Sequence, residues 1–325
     1  SSICPSSDLV PAMQTHRLVR LGASRARAQC LKCRCASAVS AASGATTEVE
    51  TRRKLWRWGA TTTGPMRSTE AVEISKEPVL VSGISSVSAA ACGPNHSAFL
   101  SDGALYTFGS NKYHQLGRSV KHEGLPEIGA DPDVVPFGGL KVVSAGLGSY
   151  HSAAITEDGA LWTWGWGGSR WSGAGALGHG GQESLEMPKR VEQFPEINET
   201  VAQVACGHQH TLVLLSSGRL FSTGKGDYGR LGVGDNTDQY EFEEIDYFEK
   251  SNDSFLEPDT PVKIVKVGSG NNFSAVLSSS GELWIWGRND CGQCGLGEES
   301  MGDIYSAEWF PRLLLSPPAG GHPPL

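Results

Sequence analysis

Three groups of residues in this 325-residue chain have spacings that could support chemistry. Gly224-Lys225-Gly226-Asp227-Tyr228-Gly229 fits the G-x-G-x-x-G spacing of a dinucleotide-binding loop. Such a loop needs a strand before it and a helix after it to set the pyrophosphate on the helix N-terminus, and the residues that follow read as turns. Cysteines at Cys291/Cys294 and at Cys30/Cys33, with Cys35 beside the latter pair, have the two-residue gaps of redox or zinc sites. Cys291 and Cys294 take the places of Tyr228 and Leu231 in the previous repeat, so small hydrophobic packing is the better reading; the other set lies in the N-terminal leader and has no second ligand pair at a finger-like distance. Histidines stand at His96, His151 and His210, each three residues after a glycine (Gly93, Gly148, Gly207), and Phe273 holds the equivalent place after Gly270. A catalytic histidine is needed once and in one place. One that returns with the same flanks is first a structural part, expected to hydrogen-bond between strands. No Ser-His-Asp set, carboxylate pair or metal constellation stands apart from these repeats. The sequence therefore predicts no enzyme, no catalytic residue, no metal and no cofactor.

The histidines belong to a larger unit. Leu105-Tyr106-Thr107-Phe108-Gly109 is matched by Leu55-Trp56-Arg57-Trp58-Gly59, Leu161-Trp162-Thr163-Trp164-Gly165, Leu220-Phe221-Ser222-Thr223-Gly224 and Leu283-Trp284-Ile285-Trp286-Gly287. A short apolar run follows each Gly-x-x-His, as in Thr211-Leu212-Val213-Leu214. A turn ending in Gly103, Gly159, Gly218 or Gly281 comes next, and two residues later the leucine of the pentad. This is a β-hairpin whose turn needs a residue that tolerates positive φ. After each pentad comes a glycine-rich turn: Ser110 to Gly117 aligns with Lys225 to Gly232 and with Arg288 to Gly295. Pro136, Pro188, Pro261 and Pro311 are read as marking an outer edge strand, where a missing N–H is harmless.

Short strands repeating about every sixty residues predict a β-propeller, with an all-β fold. Composition agrees: 41 glycines and nine tryptophans suit tight turns and buried strands, and so much glycine disfavours a helical bundle. No run approaches the ~20 apolar residues of a membrane helix, so no membrane partner is expected. The strings Val204-Ala205-Cys206-Gly207-His208-Gln209-His210-Thr211-Leu212-Val213-Leu214 and Leu283 to Gly297 resemble the repeat signature of the regulator of chromosome condensation family. The resemblance covers about residues 52–314 and implies a propeller of seven four-stranded blades. It also implies one of two roles: a binding scaffold, or guanine-nucleotide exchange on a Ran-like small GTPase, as in the founding member. A photoreceptor in the family relies on a Gly-Trp-Arg-His-Thr motif that is absent here.

From Met13 to Thr47 the chain carries six basic residues, no acidic residue and many Ala and Ser, the pattern of an organelle transit peptide. Residues 1–50 are read as a disordered leader, 51–314 as propeller and 315–325 as a Pro/Gly-rich tail. About four to five of seven blades are expected, in a chain truncated at its C-terminus. A mitochondrial or plastid location is expected, with nucleus or cytoplasm as the alternative. The chain has 27 basic and 35 acidic residues; residues 1–47 hold six and one of these, leaving 21 against 34, a charge of −13. An acidic body disfavours direct nucleic-acid contact. It suits a protein partner, and the oligomeric state is not readable.

Departures from the repeat are where individual function is sought. One is the stretch from Arg118 to Val135. Another runs from Gly234 to Asp259, with ten acidic residues and one basic. Its Tyr240, Phe242, Glu243, Glu244, Tyr247 and Phe248 are candidates for an exposed partner-binding patch, as are Trp166 and Trp171 of the third repeat's insertion.

Overall fold

The computed structural model describes residues 38–42, 54–60, 74–81, 84, 86–120, 128–170, 173–248, 262–296 and 307–314. They form a β-propeller of five sheets, or blades, arrayed side by side. The first holds β1 (Ala38–Ala42), β2 (Lys54–Ala60) and β3 (Ile74–Leu80). The second holds β4 (Val87–Cys92), β5 (His96–Ser101), β6 (Ala104–Ser110) and β7 (Ile128–Val134). The third holds β8 (Val142–Leu147), β9 (His151–Thr156), β10 (Leu161–Gly165) and, after a small hairpin of β11 (Gly168–Ser169) and β12 (Gly173–Ala174), β13 (Leu185–Arg190). The fourth is β14 (Val201–Cys206), β15 (His210–Leu215), β16 (Leu220–Gly224) and β17 (Gln239–Glu244). The fifth is β18 (Ile264–Ser269), β19 (Phe273–Ser278), β20 (Leu283–Arg288) and β21 (Ala307–Leu313). All pairings are antiparallel.

In blades 2 to 5 the aromatic pentad is the third strand, and the run that begins at the histidine, or at Phe273 in blade 5, is the second. The turn between them is tight enough that Asp102 and Gly103 both sit at positive φ, 52° and 79°, the geometry that makes Asp-Gly a favoured hairpin pair. Second strands β5, β9 and β15 are buried at every position because both faces are covered by neighbouring blades. Among the described residues there is consequently no single core but four seams. One apolar cluster lies between each pair of adjacent blades, centred on Phe99, Trp164, Phe221 and Trp286 in turn.

β1 pairs with β2 at the position that β5 takes beside β6. Two sequence expectations change. The outer strand of blade 2 is β7, within the stretch read as an insertion from Arg118; Pro132, not Pro136, lies on it. Arg118 itself is buried, donating from Nη2 to the carbonyls of Thr107 and Asp131 at 2.9 Å and so tying β6 to β7. In blade 4 the outer strand is the acidic β17, and Pro261 lies outside the described residues, as does the tail 315–325. Pro188 and Pro311 do lie on outer strands, β13 and β21.

Candidate interaction face

The repeated histidines are inter-blade clamps. Ser152, Thr211 and Ser274 each stand second in a blade's second strand, one residue past the Gly-x-x-His/Phe. Their hydroxyls donate to the carbonyls of Gln115 (2.8 Å), Ala176 (2.8 Å) and Arg230 (2.7 Å) in the previous blade's glycine turn. With the proton so committed, each hydroxyl oxygen accepts from an imidazole: His96 Nε2 to Ser152 at 2.6 Å, His151 to Thr211 at 2.9 Å and His210 to Ser274 at 3.0 Å. This assigns the Nε2–H tautomer to all three. Burial drives His96 and His151 down to about 3 and His210 well below its ordinary value, so the imidazoles are neutral. They hold blades together and face no open site.

The same carbonyls take a second donor. Trp164 Nε1 donates to Gln115 O at 2.9 Å and Trp286 Nε1 to Arg230 O at 3.0 Å. Each indole lies against the turn's last glycine, Gly117 or Gly232, where an added Cβ would overlap the ring. Blade 4 has Thr223 where the tryptophan would stand. There Phe242 reaches over from β17 and covers Gly178, the equivalent glycine of blade 3.

This corrects the reading of an exposed aromatic patch. Phe242, Tyr247 and Phe248 are buried. Phe242 fills the hole left by Thr223. Tyr247 and Phe248 lie in the connection to blade 5 and meet Trp284 edge-on at 5.9 and 5.6 Å. Phe137 and Phe194 do the same work at the preceding connections, against Trp162 and Phe221. Glu244 is held by Arg219, 2.5 Å from its Nη2. Tyr240 and Glu243 remain exposed. Trp171 lies outside the described residues, while Trp166 is half-buried. Asp238 joins the two candidate segments: its carboxylate accepts from the Ala174 N–H of the small hairpin and from the Gly226 N–H, both at 2.9 Å. Cys294, whose thiol burial raises to about 12, occupies the place of Leu231 in the previous turn, and Cys291 is exposed.

The half-exposed side chains gather on another surface, the rim made by the residues between Gly and His and those leaving each pentad. A backbone bond recurs there: the N–H of Ser110, Trp166, Lys225 and Arg288 donates to the carbonyl of Asn95, Tyr150, Gln209 and Asn272 at 2.8–2.9 Å. Further bonds run from blade to blade, from Asn95 Nδ2 to Ser149 O (2.9 Å), between His208 Nδ1 and Ser149 Oγ (2.8 Å) and from His208 N–H to Asn271 O (3.0 Å). On this braced rim Tyr150 makes edge contacts with Tyr113 (4.9 Å), His208 (5.0 Å) and Trp166 (6.1 Å), an aromatic chain across blades 2, 3 and 4. Sequence reasoning found Trp166 but missed Tyr113, Tyr150 and His208. The signal available was their place in the loops between fixed repeat positions.

The RCC1-like domain family model matches residues 21–314. The chain is 32% identical over 210 residues to the ultraviolet-B receptor UVR8 of Arabidopsis thaliana, covering 64% of this chain and 42% of the receptor. It is 30% identical over 265 residues to the protein RCC2 homolog of Danio rerio, covering 74% of this chain and 50% of that protein. It is 28% identical over 249 residues to the human E3 ubiquitin-protein ligase HERC2, covering 75% of this chain and 5% of the ligase. The chain thus spans half or less of each of these relatives. Among solved structures, human WBSCR16 superposes with TM-score 0.60 at 22% identity, covering 82% of this chain and 65% of that one. Prp20p from Saccharomyces cerevisiae does so with TM-score 0.59 at 23% identity, covering 82% and 61%.

Proposed function

This chain belongs to the RCC1-like domain family, and we propose that it is a non-catalytic propeller scaffold that binds a protein partner through the rim of Gly-x-x-His loops. The aromatic chain Tyr113–Tyr150–Trp166/His208 carries this reading. Half-exposed aromatics held rigid by backbone bonds lose little freedom when a partner covers them, and such residues dominate binding at interfaces. Tyr240, Glu243 and Trp166 of the original candidates are retained as exposed or half-exposed contacts around it. The test is a double variant, Tyr150→Ser with Trp166→Ser, used as bait beside wild type and Lys141→Gln, an exposed residue away from the rim. Loss of the wild-type partners from the double variant alone is expected; an unchanged partner set would sink the reading.

A second reading is guanine-nucleotide exchange on a Ran-like GTPase. It is favoured by similarity to an X-linked retinitis pigmentosa GTPase regulator homolog of Caenorhabditis elegans, 31% identical over 207 residues, of which this chain covers 13%. It is also favoured by the fold shared with Prp20p, whose structure was described with its binding to Gsp1p and histones. Accelerated release of a fluorescent GDP analogue from a candidate GTPase would establish it. We also propose import into a mitochondrion or plastid, directed by the leader of residues 1–50 with its basic stretch from Arg17 to Arg34. A nuclear signal from a fluorescent fusion would overturn that.

A further inference from the structure

The glycine turns of blades 2 and 5 are closed by a glutamine. Gln115 Oε1 accepts from the Tyr113 N–H and Gln293 Oε1 from the Cys291 N–H, both at 2.8 Å. The equivalent residue in blade 4 is Arg230, which has donors only and cannot make this bond. Its side chain is nevertheless buried, with 2% exposure. Nε donates to Asp227 O at 2.8 Å, and Nη2 lies 4.0 Å from the Asp227 carboxylate. Nη1 is buried with no hydrogen-bond partner. Tyr228 beside it, deprived of the glutamine, takes φ 64°, a region that aromatic side chains seldom occupy. Its ring lies between two guanidinium groups, 5.6 Å from Arg230 and 4.9 Å from Arg288. Lys225 completes the group at the rim.

The nearby carboxylates are already engaged. Asp227 pairs with Lys225 at 3.2 Å. Asp238 is held by two backbone amides, and Asp290 by Arg288 and Gln293. A buried, uncompensated donor together with a strained neighbouring residue is a costly departure from the repeat, and such departures concentrate at functional sites.

We propose that Lys225, Tyr228, Arg230 and Arg288 form a receiving site for a carboxylate side chain of the partner protein, Tyr228 being the ring that moves aside to let the carboxylate reach Arg230 Nη1. The site rests on the rim reading above and names the partner's chemistry: an acidic segment, although the propeller as a whole is acidic.

The probe is a labelled hexaglutamate peptide titrated at low salt by fluorescence anisotropy. Arg230→Gln, which restores the residue of blades 2 and 5, is expected to weaken binding about tenfold or more. Its melting temperature should stay level or rise, because the clamp on this residue uses only the backbone carbonyl. Lys141→Gln, an exposed cation in the connection between blades 2 and 3, is expected to bind as wild type. Equal affinity for Arg230→Gln, equal affinity for hexalysine, or full competition by inorganic phosphate at the same concentration would each overturn the proposal. If Arg230→Gln binds hexaglutamate normally while the Tyr150/Trp166 variant loses its partners, this site fails and the rim reading stands. The reverse result separates them in the other direction.

Discussion

The seam between blades 2 and 3 and the seam between blades 3 and 4 solve one packing problem from different strands. In the first, Trp164 of the third strand covers Gly117 and donates to Gln115 O. In the second, the third strand offers only Thr223, and Phe242 of the fourth strand covers Gly178. The carbonyl at the second seam keeps its hydroxyl donor, Thr211, but an aromatic without N–H fills the space. The volume beside the glycine is therefore the fixed requirement, and the indole hydrogen bond is dispensable. A sequence that breaks its repeat at one strand can be repaired from another, and the repair looks like an unrelated acidic insertion.

Truncating either aromatic tests these seams most directly. Trp164→Ala and Phe242→Ala should each cost about 3–5 kcal/mol in chemical denaturation, since each empties a buried aromatic site. A cost within about 0.5 kcal/mol for Phe242→Ala, as for a surface residue, would show that the second seam is not built this way. Adding Thr223→Trp to Phe242→Ala should recover stability; no recovery would mean that the two aromatics do not share one space.

Both seams carry a buried neutral imidazole, and acid should strike them alike. His96 and His151 are held near 3 in the folded chain against about 6.5 unfolded. The unfolded chain therefore binds more protons between those values, and stability is lost as pH falls through that window. Above pH 6.5 these groups contribute no slope. At pH 5 the loss is roughly 2 kcal/mol per buried histidine, to be read as a melting temperature that is flat from pH 8 to 7 and falls below 6. His151→Gln should flatten the acid limb; an unchanged limb would count against the clamp. A smaller effect is expected where β17 ends: Glu244→Gln should cost about 0.5–1 kcal/mol by loosening Arg219, a partly exposed pair. Glu243→Ala, solvent-facing on the same strand, should stay within about 0.5 kcal/mol.

Much of this architecture was legible because the repeat writes each blade's hairpin in fixed residues. The pentad, the Asp-Gly or Ser-Gly turn and the histidine all mark places where backbone geometry or burial admits few alternatives. The outer strands were not legible in blades 2 and 4. Ile128–Val134 contains Gly129, Asp131, Pro132 and Asp133, none a strand former, and holds its place by pairing with β6 and through Arg118. Gln239–Glu244 reads as an acidic loop until Thr223 is recognised as a gap in the seam. The structural role of the histidines was legible from their repetition, but not its direction, which runs between blades. Arg230 could have been found by aligning it with Gln115 and Gln293; the departure is visible in the letters, while its cost appears only once the side chain is seen to be buried.

The inter-blade clamp also bears on how such a chain can change length over time. Blades 3 to 5 each carry a hydroxyl that reaches back, and blades 2 to 4 a histidine that reaches forward. A duplicated stretch of about sixty residues would therefore arrive with both halves of its own connection. It could be spliced between existing blades without redesigning either neighbour. Phe273 stands where that forward-reaching donor would be, so a blade copied from the fifth would join its successor without the imidazole half of the clamp, and blade order along the chain is in this sense not interchangeable.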